Sequence, residues 1–211
     1  LLVARQSGYG SWRDLVRSLA PRARPDAPFC RLDPERRTLE VRGFLADAHW
    51  DRALALAREH RVTGIVAGGV SDAALGKIVR LDGITRLDLD NSGALTDDGL
   101  RHLAALPALE ELDLSCPVSR ITDRGLEVLR ELPALRRFKM CWAPRVTDDG
   151  LALLGACARL EAVDLMGAHA GDRTLAALGG KAALRSLTTG RAVTDAGLPL
   201  LHRIPAFAQP G

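Results

Sequence analysis

The residue types that carry out catalysis are present in this 211-residue chain, but their spacing matches no catalytic motif. The sequence contains no GxSxG nucleophile elbow, no GxxxxGK[ST] phosphate-binding loop and no HExxH zinc motif. The glycine pairs Gly68-Gly69 and Gly179-Gly180 lack the flanking residues of a nucleotide-binding loop. We therefore expect a protein that is not an enzyme and that binds no cofactor.

Two pairs of carboxylates and two cysteines are the candidate metal ligands. The pairs Asp97-Asp98 and Asp148-Asp149 each stand at the start of a helical pattern, which favours a role in helix initiation. Cys116 and Cys141 have no further ligand at the spacing of a zinc site. We expect no metal. None of the four cysteines belongs to a CxxC pair, which favours reduced thiols and a cytoplasmic protein.

The candidate binding residues are those that alternate with leucines in short strand patterns. Side chains alternate across a strand, so these residues should point away from the core, in columns about 4.8 Å apart. Before the first apolar residue the column reads Arg86, Glu111, Arg137, Ala162, Ser186. Between the two apolar residues it reads Asp88, Asp113, Lys139, Asp164, Thr188. After the second it reads Asp90, Ser115, Cys141, Met166, Gly190.

From these columns we expect a protein partner to contact one set of side chains. The set is Asp88, Asp113, Lys139, Cys141, Trp142, Asp164 and Met166. Three of the four charged residues in the middle column are acidic, which predicts a basic partner surface with an acidic group opposite Lys139. Trp142 has two interpretations: an exposed interface hot spot, or a turn residue packed on the next unit.

The elements that position these columns are repeated along the chain. The apolar strand anchors are Leu39, Ile65, Leu87, Leu112, Phe138, Val163 and Leu187. They lie 22 to 26 residues apart, a period typical of leucine-rich repeats. Each is followed by a helix-start pattern, such as Thr122-Asp123 with Leu126 three residues after the aspartate. One unit cannot bury its apolar face alone, so the units should stack into an α/β solenoid.

Where the helix-start pattern contains a threonine or serine, that residue is predicted to cap its own helix. Its hydroxyl can accept a hydrogen bond from an unpaired N–H of the first turn. The aspartate beside it favours the positive end of the helix dipole. We expect seven parallel strands on the concave side of a curved sheet and helices on its convex side.

The segments LEELDLS at 109–115 and ITDRGLEVL at 121–129 resemble the cysteine-containing leucine-rich repeats familiar from F-box proteins. The resemblance covers roughly residues 38–204 and implies this fold and a binding role. It departs from that subfamily at the position of its buried cysteine. That position holds Ser92, Pro117, Ala143, Ala168 and Ala192. No F-box-like segment is visible, so the resemblance does not imply a ubiquitin-ligase role.

The chain divides into three predicted regions. Residues 1–20 should form an N-terminal helical cap, with an independent pair of recognition helices as the alternative. Residues 21–37 read as a Pro/Arg linker, since their prolines interrupt helix and central strand alike. Residues 38–211 should form a leucine-rich-repeat domain of about seven repeats. At its end, Phe207 either folds back as a thin cap or the chain has been cut.

Charge and hydropathy exclude other classes. The net charge is +3, and residues 1–37 carry more than all of it, so the repeats are close to neutral. This near-neutral charge argues against nucleic-acid binding along the repeats. No apolar run approaches the length of a membrane span. Abundant Arg, Ala, Gly and Pro are typical of a GC-rich bacterial gene.

The sequence thus predicts a non-catalytic protein-interaction module of a bacterial cytoplasmic protein, whose partner binds the concave face. Two alternatives remain open. The chain could be the substrate-recognition fragment of a larger enzyme, or its basic N-terminal segment could contact nucleic acid. The sequence names neither the partner nor the oligomeric state.

Overall fold

Apolar residues alternate with polar ones for only three or four positions at a time, and this keeps every strand short. The computed structural model describes residues 29–41, 43 and 45–208. Within them the strands are β1 (Cys30–Asp33), β2 (Thr38–Val41), β3 (Gly64–Ala67), β4 (Arg86–Asp88), β5 (Glu111–Asp113), β6 (Arg137–Lys139), β7 (Ala162–Asp164) and β8 (Ser186–Thr188). They form one eight-stranded sheet in chain order, in which β1 is antiparallel to β2 and all later neighbours are parallel.

Helical segments connect the parallel strands, so the fold is α/β. The α-helices of the described residues are α1 (Asp47–Glu59), α2 (Asp72–Ile78), α3 (Asp97–Leu100), α4 (Asp148–Leu151) and α5 (Asp172–Leu178). The 3₁₀ segments are η1 (Arg101–Ala105), η2 (Gly125–Glu131), η3 (Ala152–Ala156), η4 (Leu198–Arg203) and η5 (Pro205–Phe207). Tight 3₁₀ turns let each connection return to the sheet in few residues. We call one strand with its following helical segment a unit.

The sheet and the helical segments enclose one hydrophobic core between them. The residues aligned at the strand centres are Leu39, Ile65, Leu87, Leu112, Phe138, Val163 and Leu187. These are the seven predicted anchors, and the register confirms them. All are buried except Leu187, which is partly buried against the core.

The first strand was not expected. Cys30–Asp33 lies inside the predicted 21–37 linker, so the linker prediction is wrong for these residues and the sheet begins before residue 38. Prolines flank this strand rather than interrupt it, and an edge strand tolerates them. The turn to β2 is held by Asp33, whose Oδ1 accepts the Arg36 N–H at 3.0 Å. The predicted cap (1–20) and residues 21–28 lie outside the described residues.

Among the described residues, the predicted acceptor role is confirmed at Ser71, whose hydroxyl accepts the Ala74 N–H at 3.2 Å. The Thr194 hydroxyl likewise accepts the Ala196 N–H at 3.2 Å, in the turn before η4, while it also donates to Asp172. At each threonine of these patterns the hydroxyl donates, and its acceptor is the aspartate of the preceding unit. Each aspartate accepts both the backbone N–H and the hydroxyl of that threonine, at 2.6–2.9 Å. The pairs are Asp72 with Thr96, Asp97 with Thr122, Asp123 with Thr147, and Asp172 with Thr194. We call this series the aspartate ladder.

One step of the aspartate ladder is built from different residues. Gly171 replaces the threonine, and its N–H still donates to Asp148 Oδ1 at 2.7 Å. The hydroxyl comes instead from Thr174, which donates to the same oxygen at 2.6 Å. Hydrogen bonds from Thr174, Gly171 and Arg173 outweigh the opposing effect of burial and lower the pKa of Asp148. The ladder therefore favours a charged carboxylate at this step.

At the other end of the described chain, Phe207 in η5 packs against the core together with Leu201. Ile204, between them, is fully buried. These contacts agree with the thin-cap interpretation of Phe207.

Candidate functional site

The sheet face turned away from the core carries two rows of side chains. The first row is Thr38, Gly64, Arg86, Glu111, Arg137, Ala162 and Ser186. The second row is Glu40, Val66, Asp88, Asp113, Lys139, Asp164 and Thr188. All of them line a groove of about 450 Å³ that runs across seven strands. The groove is therefore continuous over the face that the sequence identified.

Two pairs of oppositely charged side chains form ion pairs within the rows. Arg137 Nη1 lies 2.6 Å from Glu111 Oε1 in the first row. In the second row Lys139 Nζ lies 3.2 Å from Asp113 Oδ2. The hydrogen bond to Asp113 and its charge raise the pKa of Lys139. Asp113 is 14% exposed, so much of its charge is already satisfied inside the protein.

Three of the predicted binding residues also hold the backbone after their strands. Asp88, Asp113 and Asp164 each use Oδ1 to accept the N–H two residues further on. The donors are Asp90 at 3.1 Å, Ser115 at 2.8 Å and Met166 at 3.2 Å. These carboxylates therefore stabilise the turn with one oxygen, so a substitution that tests binding must keep an acceptor there.

Asp88 carries a charge that its surroundings do not neutralise. Burial raises its pKa, and the negative charges of Asp113 and Asp90 add to that effect. The Asp90 N–H and Lys139 act in the opposite direction without cancelling it. Among the described residues, no cation forms an ion pair with Asp88 or with Glu40.

Arg86 stands two residues before Asp88, yet its guanidinium turns towards the other end of the first row. Arg86 Nη2 donates to the Thr38 hydroxyl at 2.9 Å and to the carbonyl of Arg36. It crosses Gly64, where an added Cβ would lie 3.2 Å from the guanidinium and 2.8 Å from Thr38 Oγ1. Gly64 therefore makes room for this arginine, which is fixed by neutral acceptors.

The third predicted column is wrong at Cys141, which is only 3% exposed and cannot serve as a contact residue. Ser115 is buried as well. The Ser115 hydroxyl accepts the Cys141 N–H at 2.9 Å, so the chain has turned inward here. Burial is the main cause of the raised pKa of the Cys141 thiol. Alternation therefore still holds at Met140, the first residue after β6, which is buried, and fails at Cys141.

The position of Trp142 agrees in part with both interpretations, the exposed hot spot and the turn residue packed on the next unit. Its indole lies over Gly167 of the next unit, in the space that a side chain there would need. It nevertheless remains 54% exposed, beside Met166, which is 49% exposed. Its φ is +57°, and the equivalent residues Gly69 (+68°), Asn91 (+58°) and Gly167 (+73°) share this conformation. Cys116 and Arg191, which are also equivalent, do not adopt a positive φ.

The structure brings most of the predicted site together. Asp88, Asp113, Lys139 and Asp164 stand side by side on β4 to β7. Trp142 lies beyond the end of β6, where its N–H donates to the Met166 carbonyl at 3.0 Å. Glu40 and Val66 were not predicted from the sequence, because the columns of outward-pointing side chains were followed only from β4 onward. The same alternation in Leu39-Glu40-Val41 and Ile65-Val66-Ala67 would have found them.

The described residues also include the candidate metal ligands, the cysteines and the helices that bear on other kinds of site. No group of three or more His, Cys, Asp or Glu side chains there is arranged to hold a metal ion. The thiols Cys30, Cys116, Cys141 and Cys157 are free. No helix in the described ranges is long and apolar enough to span a bilayer. No protein-family model matches the chain.

Proposed function

We propose that this chain is a leucine-rich-repeat solenoid that binds a protein partner on the face of its sheet. The observation that carries the proposal is the continuous groove over that face. Trp142 and Met166, which follow β6 and β7, are exposed in addition. The repeat period, the parallel units and the LxxLxL and TDxGL segments support the fold assignment. The module binds without catalysis, as part of a bacterial cytoplasmic protein.

Trp142 is the strongest single argument for binding. A bulky side chain at positive φ costs about 1–3 kcal/mol, whereas glycine adopts this conformation freely. The other residues that adopt a positive φ at this position include Gly69, Asn91 and Gly167, whereas Cys116 of the preceding unit does not adopt it. Folding alone would thus favour glycine or asparagine here. Exposed tryptophans at an interface frequently supply most of the binding energy, and such a role accounts for this one.

The charges beside Trp142 define the partner. Among the described residues no ion pair neutralises Asp88 or Asp164, whereas Asp113 is paired with Lys139. The partner should therefore present a basic surface, with one acidic group opposite Lys139. Charge of this kind mainly sets the rate of encounter and the register of the complex.

The test compares partner capture by matched variants of the full chain. Wild type, Trp142→Ala and Leu198→Ala are immobilised, and bound proteins are identified by mass spectrometry. Leu198 is the control because it is an apolar residue of similar exposure, 52%, on η4 away from the groove. We expect a partner retained by wild type and Leu198→Ala, and lost by Trp142→Ala. For a hot spot, the affinity loss should be about 2 kcal/mol or more, mostly in the dissociation rate.

A second variant tests the role of charge. Asp164→Asn removes the carboxylate charge but keeps an oxygen for the Met166 N–H. Association should become slower and less dependent on salt, with little change in dissociation. A partner that binds Trp142→Ala and Asp164→Asn with wild-type kinetics would show that the sheet face is not its binding site.

A further inference from the structure

We infer that the groove takes a lysine or arginine side chain of the partner between Glu40 and Asp88, with its aliphatic stem on Val66. This inference rests on the proposed function and names the chemistry of one part of the same face. Glu40, Val66 and Asp88 are separate from Trp142, which lies two strands further along the sheet and beyond the strand ends.

The register places the three residues in a line. Val66 pairs with Glu40 on one side and with Asp88 on the other. Neighbouring strands are about 4.8 Å apart, so the Cα atoms of Glu40 and Asp88 stand about 10 Å apart with the valine between them. All three side chains line the groove.

Val66 provides an apolar surface where the sheet face is otherwise polar. It is 38% exposed and, among the described strands, is the only large apolar side chain exposed on this face. Lysine and arginine bury their methylene stems on apolar surface while the charged end stays with polar groups. An uncharged apolar side chain would cover Val66 equally well but would leave both carboxylates without a partner.

The charge on both sides of Val66 is not neutralised within the described protein. Among the described residues the Glu40 side chain makes no hydrogen bond or ion pair, and the Asp88 carboxylate uses only Oδ1, for the Asp90 N–H. Arg31 stands opposite Glu40 on β1, but no ion pair joins the two among the described residues. Arg86 is fixed in the first row on Thr38 and the Arg36 carbonyl. Further along the second row Lys139 pairs with Asp113. A basic side chain from outside therefore complements the Glu40–Val66–Asp88 line, and an acidic one would be repelled.

The experiment uses a small probe and a reporter inside the site. The methyl signals of Val66 are followed by NMR in the full 211-residue chain while N-acetyl-arginine amide is added. The neutral isostere N-acetyl-citrulline amide serves as the control ligand. We expect weak, saturable shifts of the Val66 methyls with the arginine probe and none with citrulline.

Matched variants make the result specific. Glu40→Gln removes a carboxylate that makes no internal hydrogen bond among the described residues, so it leaves the fold intact. Asp88→Asn keeps the oxygen that accepts the Asp90 N–H. Each variant should weaken the arginine response, by about tenfold for a charge-assisted hydrogen bond worth 1.4 kcal/mol. Glu131→Gln, on η2 and away from the groove, should not change it.

Three results overturn the inference: silent Val66 methyls, equal shifts with citrulline, or an unchanged response in Glu40→Gln and Asp88→Asn. These results are distinguishable from failure of the proposed function. A partner whose capture depends on Trp142, found together with silent Val66 methyls, leaves the proposed function standing and removes the basic-residue site. Specific Val66 shifts without any Trp142-dependent partner support the cation site and overturn the proposed function.

Discussion

Asp97 of one unit occupies the space that a side chain on Gly125 of the next unit would need. Its Oδ1 lies 2.5 Å from the position of a Cβ built on Gly125, and its Cα lies 3.2 Å away. The same oxygen accepts the Thr122 N–H at 2.7 Å. The aspartate and the glycine of the TDxG pattern are therefore complementary across neighbouring units rather than within one.

This relationship predicts that Gly125→Ala destabilises the protein by about 1–3 kcal/mol, the usual cost of overpacking. The new methyl group would displace Asp97 and weaken its bonds to Thr122. Gly76→Ala is the control, because its Cβ would meet only the side chain of His102, at 3.2 Å. Since alanine favours helix, the control should be neutral or stabilising. Urea denaturation of both variants measures the difference, and equal midpoints would contradict the prediction.

The aspartate ladder predicts an energetic coupling between Asp123 and Thr147. Thr147→Val keeps the side-chain shape but loses the hydroxyl that donates to Asp123 Oδ2 at 2.6 Å. We expect a cost of about 1–2 kcal/mol, because the acceptor is charged. In a double-mutant cycle with Asp123→Asn, the coupling energy should exceed about 0.5 kcal/mol. Additive costs would mean that Thr147 acts only within its own helix.

Asp148 should stabilise the protein at neutral pH and lose this effect in acid. Its folded-state pKa is lowered, so its contribution is present above the unfolded value of about 3.9 and disappears as the pH falls through the folded value. Asp148→Asn would turn an amide group towards the N–H of Arg173, and we expect a cost of about 1–3 kcal/mol at pH 7. Chemical denaturation from pH 7 to pH 3 checks this, and a difference from wild type that persists in acid would contradict it.

Asp88 should behave in the opposite way. Because its pKa is raised, the folded state disfavours the carboxylate. The resulting cost is fully present above the folded pKa and is lost as the pH falls from there to the unfolded value of about 3.9. Asp88→Asn removes the charge and keeps the turn acceptor, so it should be more stable than wild type at pH 7. The advantage should shrink towards pH 4 in thermal melts. A variant less stable than wild type at pH 7 would show that the carboxylate stabilises the fold.

The strand positions were predictable because they depend on a local pattern. Alternating apolar residues and a regular period located the anchors from Leu39 to Leu187 without any knowledge of pairing. The edge strand Cys30–Asp33 was not predictable in this way, because it is antiparallel and belongs to no repeat. Its prolines suggested a linker, although they lie only at its flanks.

The site was predictable only as far as the strands extend. Asp88, Asp113, Lys139 and Asp164 follow from alternation, whereas Cys141 does not, because the chain turns inward after β6. The partner of a threonine hydroxyl was beyond local reasoning as well. A hydroxyl beside a helix start can accept from its own helix or donate to a neighbouring unit. A carboxylate comes close enough to accept the hydroxyl only when the units are packed together.

The aspartate ladder also has a direction. Every carboxylate belongs to the earlier unit and every hydroxyl or N–H that it accepts belongs to the later one. During synthesis from the amino end, each acceptor is therefore made before the groups that it will bind. A newly emerged unit finds its acceptor already in place on the folded units before it. Loss of a unit at the amino end would instead leave the next threonine without its acceptor, so the two ends of the array should not fray alike.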